Sequence, residues 1–130
     1  MKYRTIKMKD VVKRDYPDFV IQYELIDNNP LHHFPASLLN FAYVKDAELK
    51  DLHFDIFPEF KIKNRTNEVL EKNAQIPRKG FADMWIVSEK YKELHHAALY
   101  EDRPCYLFKG DKIVGKAKIV VVYREYKMAQ

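Results

Sequence analysis

Five histidines, one cysteine and a few strand-borne carboxylates are the residues of this chain that could do chemistry. The histidines fall as two adjacent pairs, His32-His33 and His95-His96, with His53 two residues before Asp55. Zinc needs three or four converging ligands with supporting hydrogen bonds behind them. Adjacent residues point to opposite sides of a strand and diverge by about a third of a turn on a helix. Only His53 and Asp55 share a strand face, which gives two ligands and no third. The expectation is no metal and no cofactor, with the histidines at the surface or partly buried. Cys105 has no Cys-x-x-Cys partner and sits between Pro104 and Tyr106, so it reads as a buried, inert thiol rather than a nucleophile. A Gly-x-Ser-x-Gly elbow is absent. So is a Gly-x-x-x-x-Gly-Lys-[Ser/Thr] loop, and nucleotide hydrolysis is not expected. Asp55, Glu59 and Asp83 could pair as acid and base, yet alternating carboxylates on a sheet are usually solvated surface. Asp83 differs because it interrupts an apolar run beside Trp85. There a buried carboxylate needs Arg78, Arg103 or another cation, and a structural ion pair is the expectation.

The charge balance points weakly toward polyanions. With 23 basic and 19 acidic residues the net charge is +4. Lys2, Arg4, Lys7, Lys9, Lys13 and Arg14 concentrate at the start, against Asp10 and Asp15. Both chain ends also carry tyrosines. If the terminal strands are neighbours, Lys2, Arg4, Arg14, Tyr16, Tyr123, Arg124, Tyr126 and Lys127 form one basic, aromatic stripe that could meet a protein or stack single-stranded RNA. The plainer reading is an edge strand guarded by lysines, with tyrosines packed across strands.

These residues must be positioned by strands. At 130 residues the chain can bury a core without staples, and nine tyrosines and eight phenylalanines favour sheets. Residues 18–27 alternate, with Phe19, Ile21, Tyr23 and Leu25 on one face and Gln22 and Glu24 on the other. Residues 37–44 fit a short helix or a buried strand. Residues 52–63 alternate again, with Leu52, Phe54, Ile56, Phe60 and Ile62 opposite His53, Asp55, Glu59, Lys61 and Lys63. Pro58 makes that strand an edge, or bends it. Asn64 to Asn67 reads as a turn, 69–74 as a loop or single turn, and 81–87 as a strand buried on both sides. Residues 88–99 suit a helix capped by Ser88 that turns Tyr91, Leu94, Ala98 and His95 inward. Lys109-Gly110-Asp111-Lys112 closes a final hairpin, since Gly110 can supply the positive φ of a tight turn. The expected architecture is all-β and mainly antiparallel: a small, about six-stranded Greek-key barrel with one or two short helices. Residues 1–130 form one domain in this reading, with 1–16 a basic arm or edge strand.

Three of these stretches together resemble the C-terminal β-barrel domain of elongation factor Tu and related translation GTPases. Ile56-Phe57-Pro58-Glu59-Phe60-Lys61-Ile62 is similar to that family's Arg-Pro-x-Phe-x-Phe strand, with Pro58, Phe60 and Ile62 in step. Ala74-Gln75-Ile76-Pro77 and the run 81–87 look like its proline-containing turn and the strand that leaves it. Leu99-Tyr100-Glu101 and 105–119 parallel its closing hairpin, with Gly110-Asp111 and Val114-Gly115-Lys116-Ala117 where the family has Gly-Gly and Val-Gly-x-Gly. The resemblance covers roughly 18–123 and implies the barrel fold. It carries over no site residue, because Phe57 replaces the arginine and Phe108-Lys109 replaces the charged pair before the turn. The GTPase domain is absent, and fold alone does not license function.

The functional expectation is a non-enzymatic binding module that engages a protein partner in the cytoplasm. Alternatives are an immunity or antitoxin-like protein that neutralises a cognate toxin, and an RNA-binding module using the chain ends. The single cysteine favours a reducing compartment, and neither a signal peptide nor a membrane span is read in the chain. A small-molecule substrate is not expected.

Overall fold

Alternation in the first strand organises the core. Phe19, Ile21, Tyr23 and Leu25 are buried, while Gln22 is exposed and Glu24 half-buried. A pleated strand sends successive side chains to opposite faces, so one side of this strand faces the interior throughout. The computed structural model describes residues 8–9, 16–26, 30–32, 39–43, 56–62, 65–71, 73–110 and 112–123. Among these are seven strands: β1 (Phe19–Leu25), β2 (Asn40–Ala42), β3 (Ile56–Ile62), β4 (Arg65–Val69), β5 (Lys79–Ile86), β6 (Pro104–Lys109) and β7 (Lys112–Val122). A 3-10 turn over Glu89–Tyr91 leads into the short helix α1 (Lys92–Ala98). Met8 and Lys9 are helical as well.

All strand pairs are antiparallel, in the order β2-β6-β7-β1-β5-β3-β4. The sheet curls into a half-barrel. Its curl is visible in the packing. β2 touches β3 although four strands separate them in the sheet, and the Phe41 ring of β2 meets the Phe19 ring of β1 edge-on at 5.3 Å. Bulges supply the bending. The β1–β7 pairing skips Val120, the β6–β7 pairing skips Val114, and the β3–β4 register shifts after Lys61. An extra residue in one strand kinks it and increases its twist. The concave side collects Phe19, Ile21, Phe41, Ile56, Phe60, Met84, Ile86, Leu107 and Ile119, each at most 2% exposed. Each such side chain contributes about 1.5–3 kcal/mol relative to exposure.

The all-β, mainly antiparallel, barrel-like expectation with a short helix holds, with seven strands in an open half-barrel. The ambiguous run 37–44 contains the edge strand β2. The turn expected at 64–67 is instead the start of β4, which hydrogen-bonds to β3 and covers its end. Pro58 does not place β3 at an edge, because β3 lies between β5 and β4. The ring is tolerated for a local reason. Its register partner Met84 directs its carbonyl toward Asp18 on the β1 side, so Pro58 occupies a position that exchanges no hydrogen bonds with β5. β4 pairs only at Lys61 and Ile62, so Pro58 interrupts no ladder there either.

The closing hairpin forms as expected, with Gly110 at φ 64° and open space where a side chain would stand. A Gly110→Ala substitution should therefore cost about 1 kcal/mol through backbone strain alone, and Gly110→Asn less. Urea unfolding of the two variants measures the difference. Equal losses would mean that the turn does not depend on the left-handed conformation.

Candidate functional site

Three groups of side chains stand out: a polar cluster under the outer face of β3 and β5, a clasp at Asp18, and exposed apolar residues at one end of the sheet. The first overturns the expectation of a solvated carboxylate face. Glu59, Lys61 and Asp83 are all buried, at 4%, 9% and 9% exposure. Glu59 and Asp83 are register partners, so their side chains emerge side by side. One Glu59 oxygen accepts the Met8 N–H at 2.7 Å, and the other accepts the Trp85 indole N–H at 2.9 Å. The Lys61 ammonium lies 2.5 Å from Asp83. The cation for Asp83 is thus Lys61 and not Arg78 or Arg103. Arg103 instead donates to the Ala98 carbonyl and stacks over the Tyr43 ring at 3.9 Å.

Burial pushes Glu59 above the ordinary carboxylate range, and the nearby Asp83 charge adds to this; the Met8 and Trp85 hydrogen bonds and Lys61 oppose it. Burial also raises Asp83, with Lys61 pulling the other way. Two raised carboxylates side by side are the sort of pair that acid–base catalysis uses. Here, however, both Glu59 oxygens already accept protein donors and Asp83 is held by its lysine. The arrangement fastens the Met8 segment and the Trp85 ring onto the sheet.

At the second group, Asp18 is 1% exposed and joins four segments. Its carboxylate accepts the Ile86 N–H at 2.6 Å and lies 2.9 Å from His96 Nε2. Its own N–H donates to the Met84 carbonyl, and its carbonyl accepts the Tyr123 N–H, both at 2.9 Å. Sequence reasoning passed over Asp18. The available signal was a short acidic residue directly after Pro17, at the mouth of a strand.

The clasp also orients α1. His95 is buried and His96 half-buried against Asp18, whereas Leu94 is 68% and Tyr91 45% exposed. The inward turn expected for Tyr91 and Leu94 is therefore reversed: the helix rests on its histidine side. Ser88 makes no side-chain cap. Among the described residues, no group of three or more histidines, cysteines, aspartates and glutamates could hold a metal. His32 forms an isolated bridge with Gln75, and His33, His53 and Asp55 lie outside the described residues. Cys105 is wholly buried, and burial pushes its thiol up to about 12, with Arg103 opposing.

Of the proposed basic, aromatic stripe, Tyr16 and Tyr123 are brought together, with ring centroids 5.7 Å apart. The strands that adjoin the two ends, β1 and β7, are neighbours, and Phe19 pairs with Val122. Lys2, Arg4, Arg14, Arg124, Tyr126 and Lys127 lie outside the described residues. What the structure adds is a set of exposed apolar side chains at the same end. Tyr16, Val87, Tyr91, Leu94, Tyr100, Val121 and Tyr123 are exposed; Tyr16, Val87, Val121 and Tyr123 flank the start of β1 and the ends of β5 and β7, and Tyr91, Leu94 and Tyr100 lie on or beside the helix that His96 ties to Asp18. Ile26, at the opposite end, is the eighth large hydrophobic of this kind among the described residues. None of their helices is long and apolar enough to cross a membrane. No family model, curated protein or solved structure matches the chain.

Replacing Asp18 by Ala removes the carboxylate bonded to the Ile86 N–H and to His96 Nε2, and should cost about 3 kcal/mol. Asp18→Asn, which keeps one acceptor, should cost less; chemical unfolding that separated neither variant from the wild type by more than about 1 kcal/mol would contradict the clasp. Lys61→Met should cost about 2 kcal/mol, below the figure for fully dry pairs because both partners retain some water. The double substitution Lys61→Met/Asp83→Leu should recover most of that loss. The same double variant, which keeps Glu59, tests the raised Asp83 carboxyl. A raised folded pKa contributes stability that is full below the unfolded value, about 4, and is lost as pH rises through the folded value. Unfolding free energies measured across this window should therefore fall less with rising pH in the double variant than in the wild type.

Proposed function

We propose that this chain is a non-enzymatic binding module of the cytoplasm that docks a protein partner on the Asp18 end of the half-barrel. The observation that carries this reading is the concentration of exposed apolar residues there. Scattered single hydrophobics are normal on a protein surface, but a clustered apolar area marks an interaction site. Tyrosine is the main contributor, through Tyr16, Tyr91, Tyr100 and Tyr123, and it suits interfaces because it joins a large apolar ring to a polar tip. Charged residues of both signs surround the helix, with Glu89, Lys90 and Glu93 exposed, as a polar rim around such a centre requires. The partner we envisage is a different protein that presents a complementary apolar patch.

The closed state of the polar cluster supports binding over turnover, since its acceptors are occupied from within. The translation-factor resemblance belongs to the same proposal as a statement of shape only: its three stretches become β3, β5 and the β6–β7 hairpin.

Host-cell lysate passed over immobilised wild type and over Tyr91→Ser/Leu94→Ser tests the reading. At least one protein should be retained by the wild type and lost by the variant, and the purified pair should weaken by about 30-fold, as expected for removal of a hot spot. Both side chains are exposed, so folding stability should change by no more than about 0.5 kcal/mol. Identical retention on the two columns, or association of the chain only with itself in sedimentation, would sink the proposal.

A further inference from the structure

The outer face of β6, β7 and β1 carries a second feature, remote from the apolar end and unused by the proposal above. It is an open groove of about 650 Å³, within the size of known ligand sites. Two cross-strand rows cross it, and Ile26 and Ile113 add apolar lining at their side. In one, Tyr106 of β6, Lys116 of β7, Glu24 of β1 and Lys79 of β5 are successive register partners. In the next, Pro104, Lys118 and Gln22 follow the same order. Adjacent strands lie about 4.8 Å apart, and residues two apart on one strand lie about 6.7 Å apart. The groove therefore presents two lysines in line along β7, an aromatic ring on one side of them, and an amide and a carboxylate on the other.

We propose that this groove binds a short stretch of single-stranded nucleic acid. The lysines determine the track. Lys116 and Lys118 make no ion pair with any described residue, whereas Lys79 is 3.5 Å from Glu24 and offsets that carboxylate. The excess positive charge thus lies along β7, and phosphates follow it. The Glu24–Lys79 pair leaves the β1 and β5 side without net attraction for phosphate, so the backbone runs along β7. On the β6 side, Tyr106 beside Pro104 offers a half-buried, rigid surface on which one base stacks. On the β1 side, the Gln22 amide can donate and accept, and Glu24 accepts, so a neighbouring base meets hydrogen-bonding groups along its edge. An acidic peptide would satisfy the lysines, and its backbone would match the Gln22 amide, but its carboxylates bring no ring to the Tyr106 face, whereas every nucleotide does. The observations therefore favour nucleotides over carboxylates.

Fluorescence anisotropy with labelled oligouridylate, oligothymidylate and oligoglutamate tests this on the full chain. Affinity for at least one of the two nucleic acids should fall linearly with salt on logarithmic axes. Lys116→Gln/Lys118→Gln should flatten that slope by about 1.4, the single-strand value for two phosphate contacts. Tyr106→Leu should weaken binding about tenfold while leaving the slope unchanged. The ratio between the uridylate and thymidylate arms reports whether the site takes RNA or DNA. Oligoglutamate bound as tightly as the nucleic acids, absence of binding at low salt, or an unchanged slope in the double lysine variant would each overturn the proposal. None of these outcomes bears on Tyr91 and Leu94, so the two proposals fail or stand separately.

Discussion

Asp18 is the residue on which the arrangement of this protein depends. A carboxylate almost completely withdrawn from water is costly unless its oxygens meet donors. Here it meets the Ile86 N–H and His96, while its backbone bonds to Met84 and Tyr123. One residue thereby joins the mouth of β1, the ends of β5 and β7, and the only helix of more than one turn among the described residues. The core strands are held by apolar burial and ladder hydrogen bonds, which have no preference for where α1 sits. The clasp supplies that preference. It turns the histidine side of the helix inward, and the residues left facing water are Tyr91 and Leu94.

The polar cluster on β3 and β5 performs a related task on the outer face. Antiparallel sheets commonly keep one face wet, and part of this sheet's outer face remains so, at the groove of β6, β7 and β1. Another part is closed where Met8 donates to Glu59 and the Trp85 indole shares the same carboxylate. Burying Glu59, Lys61 and Asp83 together works because each has a partner. An unpaired member would cost more than the pairing returns. The outer face is thus divided by chemistry into a sealed part and an open part, and the open part is the more basic.

Much of the scaffold was legible in the sequence because its causes are local. The alternation of Phe19, Ile21, Tyr23 and Leu25 marked both the strand and its buried face. Gly110 marked the hairpin, because a positive φ is a property of one residue. Asp83 beside Trp85 announced a buried ion pair, since an acid within an apolar run must be compensated. The failures also have physical causes. Leu94 and Tyr91 obey the helical period, but a period states which residues share a side and not which side is covered. Glu59 and Lys61 alternate as a surface strand should, and only a covering segment converts such a face into interior.

The sequence by itself determined the class of fold, the inner face of the first strand, the closing turn and the need of Asp83 for a cation. Tertiary structure alone decided which cation that is, which polar residues are buried, which side of α1 faces water and which part of the sheet stays open. The reason is distance along the chain. Met8 reaches Glu59 across 51 residues, and Asp18 reaches His96 across 78. Local periodicity contains no term for contacts of that length, so the surfaces proposed to bind become visible only once the strands have assembled.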